Sequence, residues 1–143
     1  MRRSHLLALP NLLTYGRCVA VPVVVALGRR APVSVDTRNA ATMQAALAGG
    51  ARIVNDVSGL THDPAAAGVI AAAECPVVLM HMRGTPATMN AMTTYDDVAL
   101  DVHDELADRI ALAEQAGIAR SHIVLDPGIG FAKTGEHNLE LLR

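Results

Sequence analysis

Short apolar runs alternate with helix-forming stretches along most of the chain. Runs rich in Val, Ile and Leu occupy residues 33–37, 52–59, 76–84 and 122–130. Helix-forming stretches follow them at residues 39–51, 63–74, 95–116 and 136–143. Near-continuous apolar strands are typical of a parallel sheet that is buried on both faces. The alternation therefore predicts an α/β fold with about four parallel strands, each followed by a helix.

The longest helical stretch has an apolar face. Within residues 95–116, apolar side chains recur at helical spacing at Val98, Val102, Leu106, Ile110 and Ala113. Gly117 follows directly and indicates the end of the helix. At the start of the stretch 63–74, Asp63 predicts an N-cap.

Polar residues stand at the carboxyl end of every predicted strand. They are Asp36 with Thr37, Asn55 with Asp56, His81 with Arg83, and Asp126. A (β/α)8 barrel builds its active site from such strand ends. A doubly wound open sheet also binds ligands there, but no Gly-x-Gly-x-x-Gly follows the first strand. Because a complete barrel has about 250 residues, we expect a partial (β/α)8 TIM barrel.

Residues 1–30 do not continue this pattern. Residues 6–27 are mostly apolar, which favours an N-terminal apolar helix with weak membrane association, although Arg17 and Pro22 interrupt the run. An irregular or helical appendage is the alternative. The segment weakly resembles the first membrane helix of CDP-alcohol phosphatidyltransferases, but the Asp-Gly pair of their catalytic signature is absent. We expect residues 1–30 to be foreign to the barrel and residues 31–143 to form an incomplete barrel domain.

Composition narrows the classes of function. The formal charge is −2 and aromatic residues make up 2% of the chain, so neither a basic surface nor stacking platforms indicate a nucleic-acid partner. Cys18 and Cys75 match no metal-binding or redox spacing. They indicate reduced thiols and therefore a cytoplasmic location.

Four motifs at the strand ends carry a family resemblance. They are SVDT (34–37), NDVSG (55–59), LMHMRGTPATM (79–89) and LDPGIGFAKTGEHNLELL (125–142). In order and spacing they resemble the central strands of dihydropteroate synthase, of the pterin-binding family of TIM barrels. The resemblance covers residues 33–143. It implies a transferase of folate biosynthesis that condenses 6-hydroxymethyl-7,8-dihydropterin pyrophosphate with p-aminobenzoate.

The resemblance also implies a pterin-binding pocket. Its positions in this chain are Asp36, Asn55, Asp126, Val57 and Met80. The first three would hydrogen-bond the pterin, and the last two would form apolar walls. Phe131 matches a position on the aminobenzoate side. No catalytic residue and no metal ligand is assigned, although the carboxylate of Asp36 or Asp126 could stabilise carbocation character at the pterin methylene.

Each residue at the strand ends has a structural alternative. Asp36 could cap a helix, and Asn55 could be a turn residue. His81 on an apolar strand is more often a hydrogen-bonded core histidine than a ligand or base. Arg83 and Thr85 could bind a phosphate, but we expect them in a solvated loop. We expect Lys133 at the surface, because GIGFAK lacks the Gly-Lys-Ser/Thr pattern of a phosphate-binding loop.

Other features that the resemblance implies are missing. Mg²⁺ is expected as a cofactor, but nothing in residues 1–32 resembles the Asn-containing motif of the Mg²⁺–pyrophosphate site. The family's homodimer contacts would lie mainly in helices beyond Arg143. A methyltetrahydrofolate:corrinoid methyltransferase, which shares the Asp/Asn/Asp floor of the pocket, is the alternative enzyme. A non-catalytic fragment is the alternative outside the enzymes.

We expect the 143-residue chain alone to have no measurable synthase activity, because catalysis needs the pterin-binding and phosphate-binding groups held together. The measurement is a turnover assay with both substrates. Dihydropteroate formation above the rate without protein would contradict this expectation.

Overall fold

Four strands alternate with four helices in the computed structural model, which describes residues 31–143. The elements are β1 (Ser34–Asp36), α1 (Ala40–Ala48), β2 (Ile53–Asp56), α2 (Ala66–Ala73), β3 (Val77–Met80), α3 (Val98–Gln115), β4 (Ile123–Asp126) and α4 (Gly135–Leu141). The predicted α/β order is confirmed. The apolar helix predicted at residues 6–27 lies outside the described residues. Within residues 31–143, none of the helices has the length and apolar character needed to cross a membrane.

All four strands are parallel and lie in the order β1-β2-β3-β4. Crossovers between parallel neighbours are right-handed in nearly all proteins. Because the strand order never reverses, right-handed crossovers place the connecting helices on the same face of the sheet. A doubly wound sheet needs a reversal to carry helices on both faces. The order therefore fits part of a barrel wall and argues against the doubly wound alternative.

One face of the sheet forms the hydrophobic core with the helices. The strand register aligns Val35, Val54, Val77 and Ile123. Residues aligned in this way point to the same face. Val54 and Val77 are 0% exposed. They share a core cluster with Met43 of α1, Ile70 of α2 and Ala113 of α3. The helices therefore cover this face, as the strand order requires.

The opposite face of the sheet is open. Its side chains at the next level of the register are Asp36, Asn55, Val78 and Val124. Val124 is 53% exposed, although it occupies the middle of a strand. Asp36 and Asn55 therefore lie on the face that the helices leave uncovered.

The apolar stripe of α3 packs as its spacing predicts. Asp97 caps the helix, because its Oδ1 accepts hydrogen bonds from the amides of Ala99 and Leu100, each at 3.0 Å. The buried stripe residues are Val98, Val102, Leu106 and Ala113. The first three pack against Tyr95 and against Leu141 of α4. The stripe thereby joins α3 to α4 as well as to the sheet.

Asp63 binds one backbone amide at the start of α1 and one just before α2. Its Oδ1 accepts from the amide of Ala65, one residue ahead of α2, at 3.0 Å. Its Oδ2 accepts from the amide of Ala40, the first residue of α1, at 2.8 Å. These bonds favour the carboxylate, and the backbone bond from Ala40 contributes most to lowering the pKa of Asp63. The N-cap residue of α2 is Ala65 and makes no side-chain cap bond, so the prediction of Asp63 as the N-cap is wrong. Asp63 instead binds the turn that precedes α2 and connects it to the start of α1.

The assignment of the two sheet faces predicts different costs for two valine truncations. Val54→Ala removes two methyl groups from the core and should lower the free energy of unfolding by about 2 kcal/mol. Val124→Ala, on the open face of β4, should change it by less than about 1 kcal/mol. Urea titration of both variants measures the difference. Equal costs would mean that the core lies on the other face or on both.

Candidate functional site

Three hydrogen-bonding side chains lie on the open face at the carboxyl ends of their strands. Asp36 of β1 is aligned with Asn55 of β2. Asp126 of β4 is aligned with Met80 of β3, two residues beyond the level of Asp36 and Asn55. Side chains two residues apart along a strand share a face. The open face therefore brings together residues that are 90 positions apart in the chain (36 to 126).

The site combines exposed or half-buried polar groups with buried or half-buried apolar ones. Asp36 is exposed, while Asn55 and Asp126 are half-buried. Met80 is 5% exposed. Val57 follows β2 directly and is half-buried. The strand ends thus offer carboxylate and amide groups beside an apolar floor, which suits a flat ligand with a hydrogen-bonding edge.

The helix-cap alternative for Asp36 is wrong. The first amide of α1, that of Ala40, is bound by Asp63 at 2.8 Å. The amide of Asn39 is bound by Thr37 Oγ1 at 3.2 Å. Within residues 31–143, no group donates a hydrogen bond to the carboxylate of Asp36. The Asp36 carboxylate can therefore accept hydrogen bonds from a ligand.

The turn after β2 depends on Asp56 rather than on Asn55. Asp56 is 0% exposed. Its Oδ1 accepts from the amide of Ser58 at 2.8 Å and from the hydroxyl of Ser58 at 2.6 Å. Its Oδ2 accepts from the amide of Leu60 at 3.3 Å. Because Asp56 supplies these turn bonds, the side chain of Asn55 remains available on the open face.

The carboxylate of Asp126 has one oxygen bound and one unbound. Oδ1 accepts from the amide of Gly128 at 2.7 Å and closes a tight turn through Pro127. Oδ2 has no hydrogen-bond partner within the part of the chain that the structure describes. The backbone oxygen of Asp126 accepts from the amide of His81 at 2.9 Å and fixes the end of β4 to the end of β3. One carboxylate oxygen therefore holds the turn and the other can bind a ligand.

Gly128 packs its backbone directly against the end of β3. It has φ +69°, and a Cβ placed there would lie 1.9 Å from the carbonyl oxygen of His81. Only glycine fits this approach. The turn continues to Phe131, whose amide donates to the oxygen of Gly128 at 3.0 Å and whose side chain is half-buried. The close approach thus positions both Asp126 and Phe131.

Lys133 is buried behind this turn, so the expectation of a surface lysine is wrong. The residue is 9% exposed. Its Nζ lies 2.9 Å from Nδ1 of His81, 3.0 Å from the oxygen of Phe131 and 3.2 Å from the oxygen of Gly128. These three acceptors match the three N–H groups of an ammonium. Lys133 thereby binds the turn to the end of β3.

Arg83 is an ion-pair partner of α3 rather than a residue of a solvated loop. Its guanidinium donates a hydrogen bond from Nε to Oε1 of Glu105 at 2.7 Å and another from Nη2 to Oδ2 of Asp101 at 3.0 Å. The same group lies 3.9 Å from the ring centre of Tyr95. Glu105 Oε2 in turn lies 3.0 Å from His81 Nε2. His81 is hence a hydrogen-bonded core histidine, as the sequence favours.

The charges in this cluster shift the pKa values of its members. Burial lowers the pKa of His81, and the positive charge of Lys133 lowers it further. Burial raises the pKa of Glu105, but the hydrogen bonds and charge of Arg83 outweigh it, so the pKa is lowered. Burial also lowers the pKa of Lys133, to about 8. At neutral pH the cluster thus contains a neutral imidazole between a carboxylate and an ammonium.

One signal in the sequence could have indicated the burial of Lys133. It is the only lysine in the chain, which carries eleven arginines among its 12 basic residues. A chain that uses arginine for every other cation retains lysine here, where a compact group with three donors fits. The partners of Lys133 could not be found this way, because His81 is 52 residues distant in sequence.

The described residues do not form a metal centre. Within residues 31–143, no three His, Cys, Asp or Glu side chains are grouped so that they could hold a metal ion. The two open-face carboxylates, Asp36 and Asp126, belong to the first and last strands of the sheet. The Mg²⁺ that the resemblance implies therefore finds no such ligand set among the described residues.

Replacement by alanine should lower the free energy of unfolding by different amounts at two glycines of the turn. Gly128→Ala would place its Cβ against the His81 carbonyl and should cost at least about 2 kcal/mol of unfolding free energy, because strain and overlap add. Gly130 also has positive φ (+84°), but a Cβ there meets nothing within 4 Å. Gly130→Ala should cost only about 1 kcal/mol. Urea titration compares the two, and similar costs would contradict the close approach at Gly128.

Comparison with known proteins identifies one family. The family described as pterin binding enzyme matches residues 19–143. A dihydropteroate synthase of Synechocystis sp. is 42% identical over 125 residues, which cover 86% of this chain and 43% of the relative. The dihydropteroate synthase of Escherichia coli is 43% identical over 124 residues, which cover 85% of this chain and 44% of the relative.

Solved structures give the same result. The dihydropteroate synthase of Xanthomonas albilineans in complex with 7,8-dihydropteroate is 41% identical, with a TM-score of 0.76 over 85% of this chain and 44% of that chain. The enzyme of Thermus thermophilus in complex with 4-aminobenzoate is 42% identical, with a TM-score of 0.78 over 86% of this chain and 48% of that chain. The partial TIM-barrel fold is thereby confirmed.

These matches cover most of this chain but only part of each relative. The chain spans less than half the length of the relatives named above. The family match begins at residue 19, within the segment 1–30 that the sequence analysis separates from the barrel, and the boundary at residue 31 stays a prediction. Since the match extends over most of the chain, the chain belongs to the pterin binding enzyme family.

Proposed function

We propose that residues 31–143 form the pterin-binding floor of a dihydropteroate synthase. The reaction is the condensation of 6-hydroxymethyl-7,8-dihydropterin pyrophosphate with p-aminobenzoate in folate biosynthesis. One observation carries the proposal: Asp36, Asn55 and Asp126 share the open face of the sheet, at the carboxyl ends of their strands. The relatives named above are dihydropteroate synthases, which favours the synthase over the corrinoid methyltransferase alternative.

The proposed pocket recognises the edge of the pterin ring. The free Oδ2 of Asp126 accepts hydrogen bonds from ring and exocyclic N–H groups, and the carboxylate of Asp36 does the same from β1. Asn55 offers both a donor and an acceptor to the remaining edge. Met80 and Val57 form the apolar walls against the ring. This division suits a flat ligand whose edge is polar and whose faces are apolar.

Phe131 lies on the aminobenzoate side in this proposal. It follows Asp126 by five residues and belongs to the same turn, so both substrates would be held from one segment of chain. As pyrophosphate leaves, positive charge develops at the pterin methylene. The carboxylates of Asp36 and Asp126 stabilise that charge without transferring a proton.

A cytoplasmic location belongs to the same proposal. Cys75 is a free, buried thiol, and burial raises its pKa, which keeps it protonated. A reduced cysteine of this kind is typical of a reducing compartment.

Replacement of Asp126 by asparagine tests the pterin pocket. Asp126→Asn keeps an oxygen for the Gly128 amide but turns the other oxygen into a donor, which faces the donors of the pterin. We expect pterin affinity to fall about 10- to 100-fold, because a hydrogen bond to a charged group is lost and a donor is left unpaired. Fluorescence titration of the 143-residue chain with a pterin measures the change.

Asp104→Asn is the matched control for this test. Asp104 is 81% exposed and pairs only with its neighbour His103 on α3, so its loss changes the net charge equally without touching the open face. We expect pterin affinity to remain unchanged. The proposal fails when the unaltered chain binds no pterin, or when Asp126→Asn binds as tightly as Asp104→Asn.

A further inference from the structure

The only lysine of the chain forms a complete set of internal hydrogen bonds. Its Nζ is within 3.2 Å of Nδ1 of His81 and of the backbone oxygens of Gly128 and Phe131. An ammonium has three N–H groups and no acceptor. Each of its donors therefore has one partner within the protein, and none remains for a ligand.

These contacts determine the tautomer of His81. Because Nδ1 accepts from Lys133, the proton of the neutral ring is on Nε2. Nε2 then donates to Oε2 of Glu105 at 3.0 Å. Glu105 is held in turn by Arg83, which also binds Asp101 of α3. Nδ1 of His81 is thus held in place by hydrogen bonds that run through Glu105 and Arg83 to helix α3.

Among the described residues, three other side chains bond the turn between β4 and α4. Asp126 binds the amide of Gly128, Oδ1 of Asn138 accepts from the amide of Gly130 at 2.9 Å, and the hydroxyl of Tyr95 donates to the oxygen of Ala132 at 3.0 Å. Two of the three acceptors of Lys133 are backbone oxygens of this turn, and the third is at the end of β3. Lys133 therefore holds the middle of the turn against the neighbouring strand.

We propose that Lys133 is a positioning residue that holds the Asp126–Phe131 turn against His81 and so orients Asp126 towards the pterin and Phe131 towards the aminobenzoate. The inference rests on the proposed function for the roles of Asp126 and Phe131. The clamp itself rests only on the contacts of Lys133. Lys133 does not touch either substrate, and it acts through the turn.

Two substitutions distinguish the three hydrogen bonds of Lys133 from the effect of its charge alone. Lys133→Met keeps an unbranched side chain, shorter by the terminal nitrogen, and removes the charge and all three donors. Lys133→Arg keeps the charge but replaces a tetrahedral ammonium by a planar fork, which cannot direct three N–H groups from one nitrogen. Both variants should lose the clamp. A variant with arginine that behaves like the unaltered chain would overturn the proposal, because charge alone would then hold the turn.

Amide hydrogen exchange measures the clamp without any ligand. The amides of Gly128 and Phe131 are bonded within the turn, so their exchange reports its opening. We expect both to exchange at least about tenfold faster in Lys133→Met. The amide of Thr37, bonded to the oxygen of Asn55 at 3.0 Å, is the internal control and should be unchanged. Equal rates at Gly128 and Phe131 in the two chains would overturn the proposal.

Pterin titration over a range of pH tests the positioning role. Above a pH of about 8 the amine of Lys133 becomes neutral and has two N–H groups for three acceptors. The ratio of the affinities of the unaltered chain and of Lys133→Met should therefore be at least about tenfold at pH 7 and fall as the pH rises through 8. Protonation of the pterin changes both affinities equally and therefore does not affect their ratio. The titratable or charged groups near Lys133 are His81, Arg83, Glu105 and Asp126.

The two measurements distinguish the two proposals. When the unaltered chain binds no pterin, the proposed function fails, and hydrogen exchange still decides the clamp. When the turn of Lys133→Met exchanges faster but its pterin affinity equals that of the unaltered chain at every pH, the clamp exists without positioning Asp126, which overturns the inference. Faster exchange together with a pH-dependent loss of affinity supports it.

Discussion

Parallel register is the constraint on which the candidate site depends. Because β1 to β4 run in the same direction and are aligned residue by residue, their carboxyl ends meet at one edge of the sheet. Their unreversed order, with right-handed crossovers, then puts the helices on one face. Asp36, Asn55 and Asp126 are consequently both at the same edge and on the face without helices. A shift of one residue in the register of β4 would turn Asp126 towards the core.

Much of this arrangement follows from the sequence, and the rest depends on contacts between distant residues. Apolar runs predict the four strands and the helices, and polar residues mark the strand ends, because those patterns are local. The choice of Asp36, Asn55 and Asp126 among these polar residues comes from the family resemblance, and the open face itself is not predicted. The burial of Lys133 is not local: its nearest partner outside the turn is His81, 52 residues away. Asp63 likewise binds the amide of Ala40 across 23 residues. Residue spacing gives no sign of this contact.

The segment that begins at Asp126 combines the binding role proposed for it with a structural one. Oδ1 of Asp126 closes the turn on the Gly128 amide, while Pro127 removes a backbone donor that would compete for it. Gly128 then permits the contact with the His81 carbonyl that no side chain would allow. The result is a carboxylate that is held rigidly by one oxygen and can bind through the other. Rigid support of this kind is what a directional hydrogen bond to a ligand requires.

The charge of Lys133 lowers the stability of the folded chain but provides all three hydrogen bonds that hold the turn. Burial lowers its pKa from 10.5 to about 8, so between these values the unfolded chain binds more protons than the folded chain. Stability from this group therefore rises with pH across that window, and below it the folded chain bears the full cost of the buried charge. Yet only the charged form has three N–H groups for His81, Gly128 and Phe131. At neutral pH the buried charge therefore lowers the free energy of unfolding, while all three hydrogen bonds from Lys133 are formed. Such a compromise is expected if the turn presents ligand-binding groups, as we propose, rather than merely connecting a strand to a helix.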